Sequence, residues 1–138
     1  MQKTMALAAA CLFFLSLLTG LLLAAVMTGP IAADAHTVLA AHLGALMGCF
    51  LLLGAAWTFP FLRYEERGRR RLGWALIVGC CGNWAITLFK AFLGVAGLTR
   101  TGERANDLVF ALLTVFVVFP FLGAGAAWIA GFGGEAHG

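Results

Sequence analysis

Long stretches without a charged side chain constrain this chain more than any motif in it. Asp, Glu, Lys and Arg are absent from the 30 residues between Lys3 and Asp34 and the 28 between Asp34 and Arg63. They are absent again from the 18 between Arg71 and Lys90, a run that an apolar tail extends to Leu98, and from the 27 covering Leu108 to Gly134. Crossing a bilayer core of about 30 Å takes about 20 mainly apolar residues as a helix. All four runs reach that length, and none shows the alternation of a membrane strand. The sequence therefore predicts an all-α membrane protein. It is read as a single domain over 1–138, a four-helix transmembrane bundle with helices near 5–28, 37–62, 72–97 and 108–131. Composition agrees: 62% of residues are hydrophobic and 11% charged, against about 45–50% and 25% in a soluble domain. That is too little charge to coat a globule, so soluble enzymes, nucleic-acid binders and disordered chains are poor readings.

The first run has a competing interpretation. Lys3, the apolar stretch and Ala32-Ala33-Asp34-Ala35 resemble a secretory signal with its cleavage site. The apolar part of such a signal is about 7–15 residues, much shorter than this run, so helix 1 is expected to be retained. Orientation follows from Lys and Arg in the short loops. The stretch Arg63-Tyr64-Glu65-Glu66-Arg67-Gly68-Arg69-Arg70-Arg71 carries five arginines; with Lys3 it puts six positive residues on one side, against Arg100 and Arg104 on the other. Both termini and the arginine loop are expected on the cytoplasmic face of a bacterial inner membrane, with the arginines as a topology anchor. Phe59-Pro60-Phe61-Leu62 recurs as Phe119-Pro120-Phe121-Leu122, compatible with a duplicated hairpin or with coincidence in a Phe-rich chain. Pro120 is expected to kink helix 4.

Cys11, Cys49, Cys80 and Cys81 all lie in apolar runs. With no Cys-x-x-Cys or Cys-x-x-Cys-His spacing, they read as small packing residues rather than redox or haem-attachment sites.

Polar side chains are expensive inside hydrocarbon, so each asks for a partner or a function. His42 lies inside helix 2, with His36 at its start. Six residues make about 600° of rotation, so the two cannot clamp one metal. His42 shares its face with Ala45, Leu46 and Cys49, none of them a proton-relay partner. A lone imidazole on an apolar face suits an axial haem ligand and equally a hydrogen bond to another helix. Gly44 and Gly48 beside it form a small-xxx-small pattern that allows close approach. On helix 3, Cys80, Asn83, Thr87 and Lys90 fall on one stripe; Asn83 and Thr87 suit a cavity lining or interhelical bonding, and Lys90 a snorkelling cation. Asn106 or Asp107 is expected to cap helix 4. The absence of a carboxylate from the helix interiors argues against a proton-coupled exporter. With one deep histidine, any haem would keep an open sixth position.

At these residues the chain resembles a known family. Ala41-His42-Leu43 with the small residues through Gly48, then Asn83-Trp84-Ala85-Ile86-Thr87-Leu88, is similar to the bacterial hydroxylaminobenzene mutases and, in the same framework, to the styrene oxide isomerases. The likeness runs over about residues 36–110, with Pro60 and the arginine loop between the two motifs. It implies haem b with His42 as axial ligand, a homo-oligomer with a trimer favoured, and iron acting as a Lewis acid. The isomerases open an epoxide to an aldehyde; the mutases turn an arylhydroxylamine into an aminophenol. Two departures separate this chain from the isomerases. Gly48 stands where they place an asparagine, and Thr87 where they place a tyrosine.

The resulting expectation is a membrane isomerase that rearranges hydroxylaminobenzene to 2-aminophenol. His42 holds haem b and its iron, Asn83 and Thr87 serve catalysis, and Trp84 and Phe89 hold the ring. The partners expected are a small aromatic substrate, the lipid bilayer and other copies of the chain, with no nucleic acid. Epoxide-to-aldehyde isomerisation is the alternative within the class; a cofactor-free transporter or assembly subunit is the alternative outside it.

Overall fold

In the computed structural model, which describes residues 1–133, four helices account for nearly the whole chain, and no strand occurs among the described residues. They are α1 (Gln2–Met27), α2 (Ala35–Phe61), α3 (Glu66–Leu93) and α4 (Arg104–Gly133). All four are long and apolar enough to cross a membrane. The helices pack mainly in chain order, α1 on α2, α2 on α3 and α3 on α4, with lesser contact between α1 and α3. Short loops force this up-and-down order.

Local chemistry sets the helix ends. The Asp34 side chain accepts a hydrogen bond from the Thr37 backbone N–H at 3.1 Å and another from the Thr37 hydroxyl, which caps α2. These bonds hold the Asp34 carboxyl below its ordinary pKa. At the other end, α2 tightens into a 3₁₀ turn over Phe59–Phe61 around Pro60. α3 starts at Glu66, earlier than the expected residue 72, so Arg67 to Arg71 belong to its first turns. The apolar run marks where a helix meets hydrocarbon, whereas the backbone ladder continues into the interface. Gly94, at φ +65°, ends α3 before residue 97, because the left-handed conformation there suits glycine.

Asn106 and Asp107 do not cap α4, which corrects the expectation above; Glu103 is the N-cap residue. Both side chains instead reach back to the preceding loop. Asn106 Oδ1 accepts from Gly97 N at 2.8 Å, Asn106 Nδ2 donates to Thr99 O at 2.7 Å, and Asp107 Oδ1 accepts from Thr101 N at 2.9 Å. A loop with several unpaired backbone groups outcompetes a helix end for these polar arms.

The expected disturbance from Pro120 takes the form of a π turn over Thr114–Val118, directly before Phe119–Gly133. Proline has no N–H to give the carbonyl four residues back, and the ladder absorbs the defect as a π bulge. The carbonyl concerned, that of Phe116, lies 3.4 Å from where a Cβ on Gly82 would sit, so α3 offers it bare backbone. The two Phe-Pro-Phe-Leu copies thus serve different ends: one closes α2, the other follows a bulge inside α4.

One polar end gathers the N-terminus, the α2–α3 loop and the end of α4. Gln2 Nε2 donates to Ala56 O at 3.0 Å, Tyr64 OH to Ala127 O at 2.6 Å, and Arg63 N to Gly131 O at 3.0 Å. The N-terminus and the arginine segment therefore share a side, as expected.

Candidate functional site

His42 sits seven residues into α2, about 10 Å along the axis, and its ring turns towards α1. Its Nδ1 lies 2.8 Å from the Ser16 carbonyl oxygen. A carbonyl can only accept, so Nδ1 carries a proton, and the neutral tautomer that makes this bond has the Nε2 lone pair free. The Ser16 hydroxyl, 3.2 Å from the same nitrogen, donates to the His42 carbonyl at 3.1 Å, which ties the two backbones together. This approach depends on Gly20, where a Cβ would lie 3.2 Å from His42 Cε1 and 3.3 Å from Nδ1.

One turn along the same face of α1, Thr19 donates to Leu15 O at 2.7 Å and accepts from the Trp84 indole N–H at 3.0 Å. Trp84 is thereby held against α1 from its root on α3. Its neighbour Asn83 faces α2, with Nδ2 only 2.9 Å from where a Cβ on Gly44 would sit. Among the described residues the Asn83 amide has no hydrogen-bond partner, although it is half-buried in an apolar span. Thr87, 8% exposed, continues the same stripe. Each interhelical polar bond in such a layer contributes on the order of 0.6–2 kcal/mol.

Ser16, Thr19 and Gly20 on α1, His42 on α2 and Trp84 on α3 thus form one connected polar layer. Asn83 reaches α2 at Gly44, two residues and about 200° around the helix from His42. Asn83 therefore meets α2 on a different side from the one that carries His42. Sequence reasoning passed over Ser16 and Thr19. A signal was present, since they are the only hydroxyls between Thr4 and Thr28 and fall with Gly20 at i, i+3 and i+4.

Other expected residues stand apart. Phe89 is 54% exposed and faces outwards from the chain. Lys90 donates to Ala96 O at 3.1 Å in the α3–α4 loop, as a snorkelling cation does. His36 is exposed at the head of α2, beside a cavity of about 420 Å³ shared with Asp34 and Lys90. Cys80 is buried against Gly48, where an added Cβ would lie 3.1 Å from Cys80 Cβ and 3.4 Å from its Sγ. The helices are closed at that point.

The histidine fits a metal-bearing macrocycle better than a bare ion. Among the described residues no three His, Cys, Asp or Glu side chains converge on one point. A single imidazole is sufficient when a porphyrin supplies the other ligands. The fixed tautomer, with Nδ1–H on a carbonyl, is the arrangement that orients a ligating histidine and raises its basicity.

Comparison with curated proteins gave no match. Comparison with family models gave one, to the styrene oxide isomerase family, over residues 1–132. The match takes in all four helices and the polar layer between the first three, so this chain belongs to the styrene oxide isomerase family, a family of isomerases.

Proposed function

We propose that the protein rearranges an arylhydroxylamine, hydroxylaminobenzene, to 2-aminophenol, with haem b held through His42. The observation that carries this reading is the histidine itself, with Nδ1–H engaged by the Ser16 carbonyl and the Nε2 lone pair left for a metal. Family membership supports the reaction class, an intramolecular rearrangement in a membrane. The choice of substrate rests on Gly48 and Thr87. A Cβ at Gly48 would already lie 3.1 Å from Cys80 Cβ, so the polar side chain that the epoxide isomerases carry there would need Cys80 to give way.

Held through His42, haem would supply a Lewis-acidic iron. The chain's own residues do the rest. The Ser16 carbonyl holds the imidazole in register. Asn83 stands about 200° around α2 from His42, so it would orient the migrating oxygen at a haem brought against that side by an adjacent copy of the chain. Thr87 assists one turn away, and Trp84, pinned by Thr19, holds the aromatic ring. Apolar surroundings exclude water that would otherwise capture a cationic ring. The rearrangement balances without a redox partner: the N–O bond breaks, a C–O bond forms at the ortho carbon, and the displaced ring proton returns to nitrogen. The positive-inside rule places the arginine end in the cytoplasm of a bacterial cell.

Detergent-purified protein should show a Soret band, with about one haem b per chain by pyridine haemochrome. His42→Ala should lose it. Asn83→Ala should keep the haem and lose turnover of phenylhydroxylamine by about a hundredfold or more. A His42→Ala variant with its full haem complement would sink the ligand assignment. The family match is equally compatible with a second reading, epoxide-to-aldehyde isomerisation. Styrene oxide assayed beside phenylhydroxylamine separates the two.

A further inference from the structure

The arginine segment is helical rather than looped, and that gives it a face. Arg67, Arg70, Arg71 and Trp74 fall at i, i+3, i+4 and i+7 of α3, are all exposed, and line one cavity of about 550 Å³. Arg69 belongs elsewhere: it donates from Nε to Tyr64 O at 2.8 Å and lines a different cavity with Glu66, Met1 and Gln2. Glu66 lines that other cavity too but stands one turn before Arg70, at i and i+4, so its carboxylate borders the arginine face and leaves a net surplus of positive charge there.

Arg71 also stands at the mouth of a second, apolar cavity of about 350 Å³ that runs down between α3 and α4. Its walls include Leu72, Ala75, Gly123, Ala124 and Ala127. The Tyr64 hydroxyl, bonded to Ala127 O at 2.6 Å, braces one side. Small side chains keep the cleft open, and a Cβ added at Gly123 would meet nothing within 4 Å. A guanidinium cluster, an interfacial tryptophan and an apolar slot, continuous through one arginine, match a molecule with an anionic head and a hydrocarbon tail.

We propose that this end of α3 is an anionic-phospholipid site, with the phosphate on Arg67, Arg70 and Arg71 and an acyl chain in the α3–α4 cleft. The arginines therefore do more than orient the chain. Charge complementarity selects the head, and the cleft distinguishes a lipid from a soluble phosphate. The proposal does not depend on haem or on the reaction.

Native mass spectrometry of the full-length protein, delipidated stepwise and titrated with phosphatidylglycerol, phosphatidylcholine or inorganic phosphate, tests it. Phosphatidylglycerol should be retained in preference to phosphatidylcholine. The R67Q/R71Q variant, which keeps Arg63, Arg69 and Arg70 for topology, should weaken retention by roughly fivefold per arginine. Arg71→Lys, which preserves charge and insertion, should still weaken it by losing the bidentate fork. Gly123→Leu should weaken it with every charge in place. Equal retention of the two lipids, or glutamine variants that bind like the parent, would overturn the proposal. So would phosphate that competes fully while Gly123→Leu has no effect, since that describes a bare anion site. A Gly123→Leu variant that changes oligomeric state and not lipid retention would assign the cleft to a second copy of the chain, and overturn it equally.

Discussion

Gly20 and Ser16 decide what His42 can do. The imidazole reaches the Ser16 carbonyl only because residue 20 has no side chain, with a hypothetical Cβ 3.2–3.3 Å from two ring atoms. Gly20→Ala needs the ring to shift by a few tenths of an ångström, whereas the branched Gly20→Val displaces it. The expected outcome is partial haem retention in the alanine variant and its loss in the valine variant, measured by pyridine haemochrome on folded protein. A valine variant with full haem would show that the α1 contact is dispensable. The residues that bear the chemistry are partly legible in the sequence. His42 and Asn83 are conspicuous because a polar side chain in an apolar run has few bland explanations. Ser16 is not, because what it offers the imidazole is a backbone carbonyl, and every residue has one.

At the scale of the element, hydropathy reveals that a helix exists and does not reveal where it ends. The start of α3 shows why. Arginines that read as a loop are helical, because charged side chains at the interface do not interrupt the backbone ladder. The cap of α4 differs from expectation for a related reason: Asn106 and Asp107 have a better use in tying down residues 97–101. The cap of α2 makes a prediction of its own. Its hydrogen bonds with Thr37 lower the folded pKa of Asp34 below the unfolded one. The capping contribution is therefore full at neutral pH and is lost as pH falls through the folded value, below the ordinary carboxylate range. The protection of the Thr37 amide, its exchange rate relative to the intrinsic rate at the same pH, should fall in that acid window. Asp34→Ala should show the lower protection already at neutral pH, with no further acid step. Acid-insensitive protection in the parent would remove Asp34 from the cap.

Across the whole molecule, helices packed in chain order leave much surface uncovered. The four spans are only 17–39% buried within one chain. Lipid covers such faces readily, since it is as apolar as leucine. Even so, Asn83 brings a half-buried amide to an apolar span with no partner among the described residues, and Phe89 and Trp57 stand outwards at 54% and 79% exposure. Family resemblance and these faces together predict a homo-oligomer, a trimer in the first instance. Mass photometry in nanodiscs should report a multiple of the 14.5 kDa chain. A strictly monomeric particle that still turned over substrate would show that one chain's polar layer is sufficient.

What the sequence by itself determined is the solvent and the secondary structure. Four charge-free runs can only be membrane helices, because hydrocarbon rejects charge and unpaired backbone alike. Clustered arginines determined which ends lie together. Only the tertiary structure decided what each polar residue faces. It turned His42 to a carbonyl on α1, set Asn83 against Gly44, tied Trp84 to Thr19 and put the arginines on one face above a cleft. The physical reason is one of range. Hydropathy is summed along the chain, residue by residue, whereas a hydrogen bond is made or lost within a few tenths of an ångström between helices that lie far apart in sequence.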